Sequence, residues 1–423
     1  MKPLSQSKSF KLIKEEGFKA WLEYRYFKIL RTYEKHIVLK FTKQFKPLPK
    51  NYKFILCSYS VSAHWALGEF LQFCNLKKVI AFEDGLTCYY TAKRKLKKVK
   101  NSQSYLDLIF WNKENKYISN ITSIFEPTKI LILTRDPISR FKTFINHGLC
   151  DKRTIYHLND QFDAIYYIGK NGYEINNTKP DCKGLFYWMQ PSKKVTTNFN
   201  YYSNIKAFLE SKKEFKIFYI DCKELDSKIA FNTMNKLAKI LDFNPPNIKD
   251  KEKFEHKFWN KFAHLLPFNL LLDKKTFPYL SKDIRLNICE AKLSNTPPPI
   301  CSIDIKSFIL DKNYTYYKNL SIYIDENDFN ILKEHKKLFE EVKTYLLKFS
   351  VFLKEQIEFK EENFINEQDI LNYLKENKDL RVYIKNLLDY ELTHIKEHRP
   401  DIIASWKYYE EFERMCEELD GRA

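Results

Sequence analysis

Four short apolar runs constrain this chain more than anything else in it. They are "FILCSYS" (54–60), "KKVIAFEDG" (77–85), "KILILT" (129–134) and "FKIFYID" (215–221). Each reads as a buried strand that stops at a turn. Helical stretches follow or separate them: "AHWALGEFLQFC", a helix starting at Pro137, "YYSNIKAFLESKK" and "AFNTMNKLAKILDF". "DAIYYIG" (163–169) adds a further strand. Strands alternating with helices imply an α/β fold with a mostly parallel sheet covered by helices on both faces.

Breaks in the pattern divide the 423 residues into four expected segments. "KPLPKNY" ends a basic amphipathic helical segment, 1–50, in which Phe10, Ile13, Phe18, Trp21, Leu22, Tyr26, Ile29, Leu30, Tyr33 and Ile37 recur at helical steps. A helix packed on a core is the first reading of that stretch. A basic helix lying on the inner membrane face is the second. The α/β core spans 51–250 and closes at "FNPPN". Residues 251–300 are mixed and aromatic, a connecting and acceptor-side segment that ends in "NTPPP". Successive prolines forbid helix continuation there. Residues 301–423 form a helical module, rich in Glu and Lys at i,i+4 spacing from about 326 onward. Its expected role is acceptor binding or partner docking.

Charge is unevenly placed. Residues 1–150 carry 28 Lys and Arg against 11 Asp and Glu, a balance of +17 within a total of +18. That suits an anionic partner, whether a nucleotide, a polyanion or a membrane face. The densest run, "TAKRKLKKVK", is either a solvated face or a phosphate contact. No nucleic-acid-binding motif accompanies it, so no nucleic-acid partner is expected. Nine cysteines lie without CxxC spacing, which argues for a reducing compartment and against a zinc site or disulfide framework. With no signal-peptide pattern and no long apolar run, the expected location is cytoplasmic, with the inner membrane surface as a peripheral site. Eight glycines, none in a fingerprint, argue against a dinucleotide fold and a redox cofactor. No ligand cluster marks a metal.

Three turns fall at the C-terminal ends of the expected strands: "CSYSVSAHW", "FEDG" and "TRDPISRFKT". In open α/β sheets ligands bind along this edge, and a strand-to-helix turn offers free N–H groups to phosphate. Arg135 lies just past its strand with a planar fork of donors suited to phosphate. Thr143, two helical turns on, adds a hydroxyl. Arg140 is a second phosphate contact or an ion-pair partner. Tyr187 and Trp188, in "YWMQ", are candidate acceptor-groove residues because flat rings suit sugar faces; core packing is their competing role.

The spacing of Arg135 and Thr143 resembles the 3′-phosphate element of the nucleotide-dependent sulfotransferases. "YSVSAHWALGEFL" is similar to that family's 5′-phosphosulfate loop, and the stretch 201–243 to its later helix–strand–helix. The resemblance covers roughly 52–247. It implies a sulfotransferase-like, P-loop-type core with Ser58, Ser60, Ser62, Ala63 and Trp65 at the donor. The loop departs from the pattern: Ser60 stands in the place of the lysine and Ser62 in that of the glycine. His64 would then partly replace the lost cation. In carbohydrate-acting members a glutamate after the second strand is the general base, which implies that role for Glu83 or its neighbour Asp84. Turn formation by Asp84 and Gly85 is the structural alternative.

The C-terminal "ELTHIKEHRPDIIASWKYYEEFERMCEEL", taken with "LTRDPISRFKTFINHG", resembles a poorly characterised family of epsilonproteobacterial surface-polysaccharide transferases, often labelled sugar transferases. Some of its members are similar to capsule transferases that place O-methyl phosphoramidate on sugars. Together the resemblances imply transfer of an O-methyl phosphoramidate or sulfo group from a cytidine- or adenosine-based nucleotide donor to a surface-polysaccharide hydroxyl. A sugar-nucleotide glycosyltransferase and a basic polyanion- or membrane-binding scaffold are the alternatives.

Overall fold

A computed structural model describes residues 47–58, 61–80, 86–99, 103–107, 125–126, 128–146, 153–162, 180–183, 215–255, 262, 265–291 and 302–421, with a few positions between 18 and 29. In chain order the strands are β1 (Phe54–Ser58), β2 (Lys77–Ile80), β3 (Ser104–Asp107), β4 (Lys129–Thr134), β5 (Ile155–Tyr156), β6 (Lys216–Asp221), β7 (Phe268–Leu272), β8 (Ile284–Glu290), β9 (Ser302–Asp304) and β10 (Leu320–Asp325). The main helices are α1 (His64–Phe73), α2 (Leu86–Lys98), α3 (Pro137–Asn146), α4 (Ala230–Leu241), α5 (Glu326–Glu334), α6 (Lys336–Glu362), α7 (Glu367–Glu376), α8 (Lys378–His398), α9 (Pro400–Ala404) and α10 (Lys407–Asp420). The chain folds into two compact units. One comprises 1–140, 188–257 and 371–423; the other comprises 141–187 and 258–370.

The first unit holds a five-stranded sheet in the order β2-β3-β1-β4-β6. Every pairing in it is parallel. All five residues of β1 are buried, as a central parallel strand requires. Phe54 stacks on Tyr105 of β3 at 5.5 Å between ring centroids. Helix α1 buries Leu67, Phe70 and Leu71 at helical spacing, and α4 buries Ala230, Met234, Leu237, Ala238 and Leu241 in the same way. The expected parallel α/β sheet therefore forms, and β3 is a strand that the apolar runs did not announce.

The C-terminal helices α8 to α10 belong to this same unit and bond to its sheet edge. Arg399 donates to the Tyr219 carbonyl at 2.8 Å. The Trp406 indole donates to Asp221 Oδ2 at 2.7 Å, and Tyr219 Oη lies 2.6 Å from His394 Nδ1. Asp136 ties the arrangement together. Its Oδ1 accepts from Ile138 N (2.9 Å) and Ser139 N (3.4 Å), capping α3, while Pro137 occupies the first helical position. Its Oδ2 accepts from Tyr408 N (3.1 Å) and Tyr409 N (3.3 Å) at the start of α10. Burial pushes this carboxyl above its usual range, and the four N–H groups offset that only in part. Asp136→Ala removes two helix caps at once and should lower stability by about 1–2 kcal/mol. Urea unfolding would read this as a lower midpoint at unchanged slope.

The second unit carries a five-stranded mixed sheet in the order β5-β7-β8-β10-β9. β5 runs parallel to β7, and the remaining neighbours are antiparallel. One face is buried. Ile284, Leu286 and Ile288 of β8 point into the core while Arg285 is exposed and Asn287 is half-buried. Helix α6 supplies Leu338, Val342, Leu346, Phe349, Leu353 and Ile357 to the same core. The far end of α3 is tied down in this unit. Asn146 exchanges hydrogen bonds with the Ile365 backbone at 2.7 and 3.1 Å, and Lys142 pairs with Glu367 at 2.7 Å.

The compact units thus do not coincide with the contiguous segments 51–250, 251–300 and 301–423. The stretch expected to connect contributes β7 and β8 to a second core, and 301–325 adds β9 and β10 before the helices begin. The described positions of the N-terminal segment are helical, and Phe18, Leu22, Tyr26 and Ile29 are exposed there. The expected strand 163–169 and helix 201–213 lie outside the described residues. Among the described residues no helix is long and apolar enough to cross a membrane.

Candidate functional site

The C-terminal ends of β1, β3, β4 and β6 share one edge of the parallel sheet. From β1 the chain passes through a turn into α1. Val61 and Ala63 in that turn both have positive φ, 57° and 63°. For a β-branched valine this is a sterically costly conformation, of order 1–3 kcal/mol, and such residues cluster where geometry serves a ligand. The left-handed residues flank Ser62. Ser62 is fully buried, and its hydroxyl has no hydrogen-bond partner among the described residues. Ala63 provides no side-chain cap for α1, so the first N–H groups of that helix lack one.

Arg135 reaches this turn from the end of β4. Its guanidinium donates to the Val61 carbonyl at 2.6 Å, which uses one arm of the fork. The strand-end arginine and the strand-to-helix loop are therefore adjacent. Nearby, burial pushes the Cys222 thiol up to about 12, with Asp221 adding to the rise and Arg135 opposing it. That thiol stays protonated at neutral pH and is no nucleophile.

Four side chains from four elements meet beside the loop. Ser58 Oγ, at the end of β1, lies 2.6 Å from His64 Nδ1 at the start of α1. His64 Nε2 lies 3.0 Å from Oδ2 of Asp107 at the end of β3. Lys78 Nζ, from β2, lies 2.7 Å from the same carboxylate oxygen and 3.3 Å from His64 Nε2. Ser58, His64 and Asp107 are 1%, 8% and 0% exposed. The Lys78 ammonium donates to Asp107, and the imidazole ring bridges that carboxylate to the Ser58 hydroxyl. Burial pushes the Asp107 carboxyl up, but His64 and Lys78 outweigh it and hold the group below the usual carboxylate range.

A group with a depressed folded pKa contributes stability above its unfolded value, and that stability disappears as pH falls through the folded value. The stability difference between wild type and Asp107→Asn should therefore be level at neutral pH. It should shrink only below the ordinary aspartate value of about 3.9. Melting curves at stepped pH would show this, and a difference already gone at pH 6 would contradict it.

Of the other residues singled out from sequence, Trp65 is 73% exposed and lines a surface groove with Gly68, Gln72, Lys77 and Lys78. Arg140 is buried. Thr143 lies on α3 within the second unit. Ser60, Glu83, Asp84, Tyr187 and Trp188 lie outside the described residues. Sequence reasoning missed Asp107 and Lys78. An aspartate closing a buried strand was the available signal for Asp107. Lys78, the second of two lysines opening an edge strand, gave none. Among the described residues no group of three His, Cys, Asp or Glu is placed to hold a metal ion.

Residues 219–419 match a family described as "Protein of unknown function (DUF2972)". That span begins in β6 and takes in the helices that bond to the sheet edge. The chain matches no curated protein. Among solved structures it is similar to mouse sulfotransferase SULT7A1 complexed with PAP. The identity is 12% and the TM-score 0.32, over 51% of this chain and 66% of that one. A likeness at that level carries no weight for activity.

Proposed function

We propose that the chain is a nucleotide-dependent transferase that moves an activated sulfo or O-methyl phosphoramidate group to a hydroxyl of a surface polysaccharide. One observation carries this reading: the Arg135 guanidinium meets a strained strand-to-helix loop that contains a buried, unpartnered serine hydroxyl. The uncapped N–H groups of α1, the Ser62 hydroxyl and the free arm of Arg135 are all donors. Donors gathered at a helix start suit a phosphate or sulfate group. Lys78 brings a cation to His64 at the start of α1, where it would oppose charge on a departing phosphate. Glu83 or Asp84 is proposed as the base for the acceptor hydroxyl.

A thermal-shift screen with adenosine 3′,5′-bisphosphate, cytidine nucleotides and uridine nucleotides tests the reading. A ligand at one hundred times its Kd should stabilise the fold by about 2.7 kcal/mol. A response to the adenosine compound supports sulfo transfer, and one to cytidine compounds supports phosphoramidate transfer. A response confined to uridine compounds points to a glycosyl donor, and silence across the screen removes the proposal.

A further inference from the structure

We infer that Ser58 is a nucleophile, activated by His64 and Asp107, that takes up the transferred group covalently before the acceptor does. This deepens the transferase reading and rests on it for the identity of the group. The hydroxyl–imidazole–carboxylate chain has the contacts that define an activated serine: 2.6 Å from Ser58 Oγ to His64 Nδ1 and 3.0 Å from His64 Nε2 to Asp107. The ring uses its two nitrogens in the opposite sense to the serine protease arrangement, but the roles are the same. Placement agrees with this. Ser58 ends the central strand, a turn with two left-handed residues follows, and a helix begins at His64.

Lys78 gives the cluster its own character. Its ammonium shares Asp107 with the imidazole, so the carboxylate stays ionised while His64 faces a cation at 3.3 Å. The cluster therefore serves an anionic substrate twice, as a proton acceptor and as a nearby positive charge.

In the first step Ser58 Oγ forms a bond to the sulfur or phosphorus of the donor. The bond from that atom to the bridging oxygen of the nucleotide breaks, and its electron pair leaves with the nucleotide phosphate. The Ser58 proton passes to His64 Nδ1, and Asp107 balances the imidazolium. In the second step the acceptor hydroxyl oxygen bonds to the same sulfur or phosphorus. Ser58 Oγ leaves and regains its proton from His64, while the acceptor proton goes to a carboxylate or to solvent. No oxidant or reductant is consumed.

The test is labelling with a small sulfonyl fluoride, followed by peptide mass spectrometry on the full-length protein. The expected result is modification of Ser58 alone among the loop serines, at least tenfold slower in Asp107→Asn and absent in His64→Ala. Lys77→Met, a neighbour outside the cluster, should label like wild type. Natively melting wild-type protein that stays unlabelled at Ser58, or labelling unchanged in His64→Ala, overturns the inference. The transferase reading fails separately. A labelled Ser58 in a protein that binds no nucleotide keeps the nucleophile and removes the nucleotide donor; nucleotide binding without labelling does the reverse.

Discussion

Replacing Trp406 with alanine should lower the unfolding free energy by about 3–5 kcal/mol, the range for emptying a large buried aromatic site. The indole is fully buried, packs edge-on against Tyr409 with centroids 6.0 Å apart, and donates to Asp221 Oδ2. Truncation therefore opens a cavity and also strips one donor from a buried carboxylate. Thr134 and the Lys223 backbone still reach Asp221, so the carboxylate is not orphaned. Trp406→Phe separates the two effects, since it keeps most of the volume and loses the donor. It should cost about 1–3 kcal/mol. Domains of this size are stable by only about 5–15 kcal/mol, so the alanine variant should unfold at a visibly lower urea concentration. Equal midpoints for wild type and alanine variant would mean that α10 does not pack on the sheet as described.

Removing the Arg135 side chain should weaken nucleotide binding ten- to a hundredfold. The expectation rests on about 1.5–3 kcal/mol for a hydrogen bond to a charged group. Arg135→Lys keeps the charge but not the fork, and should recover only part of the loss. Stability should fall less than affinity, because the side chain is half-exposed and makes one backbone contact, to Val61. Isothermal titration with the nucleotide that gives the largest thermal shift is the measurement. An unchanged Kd in Arg135→Ala would show that the loop and this guanidinium do not share a ligand.

Much of the first unit was legible because its central strands are buried on both faces. β1 and β4 are continuous apolar runs that no amphipathic helix would produce. β3 escaped notice because it is four residues long, contains one aliphatic side chain, and ends in Asp107. The second sheet escaped for a different reason. In β8 the apolar residues alternate with Arg285, Asn287 and Cys289, so the stretch looks mixed unless it is read at a period of two. The site divides along similar lines. The placing of Arg135 beside the β1–α1 turn follows from a parallel sheet and could be read from chain order. The meeting of Lys78 and Asp107 at His64 depends on β3 lying between β2 and β1, and strand order is not written in local pattern.

The first unit is assembled from three separate stretches of chain, and Asp136, Asp221 and Tyr219 each take a partner from residues 394–409. During synthesis, β4 and β6 leave the ribosome long before those partners exist. The sheet edge that bears Arg135 then waits, incompletely bonded, while some two hundred further residues are translated. Such long-range closure is slow and leaves apolar strands open to other chains. The newborn protein should therefore lean on chaperones until its last helices arrive, and prematurely terminated products should be cleared rather than retained as a working half.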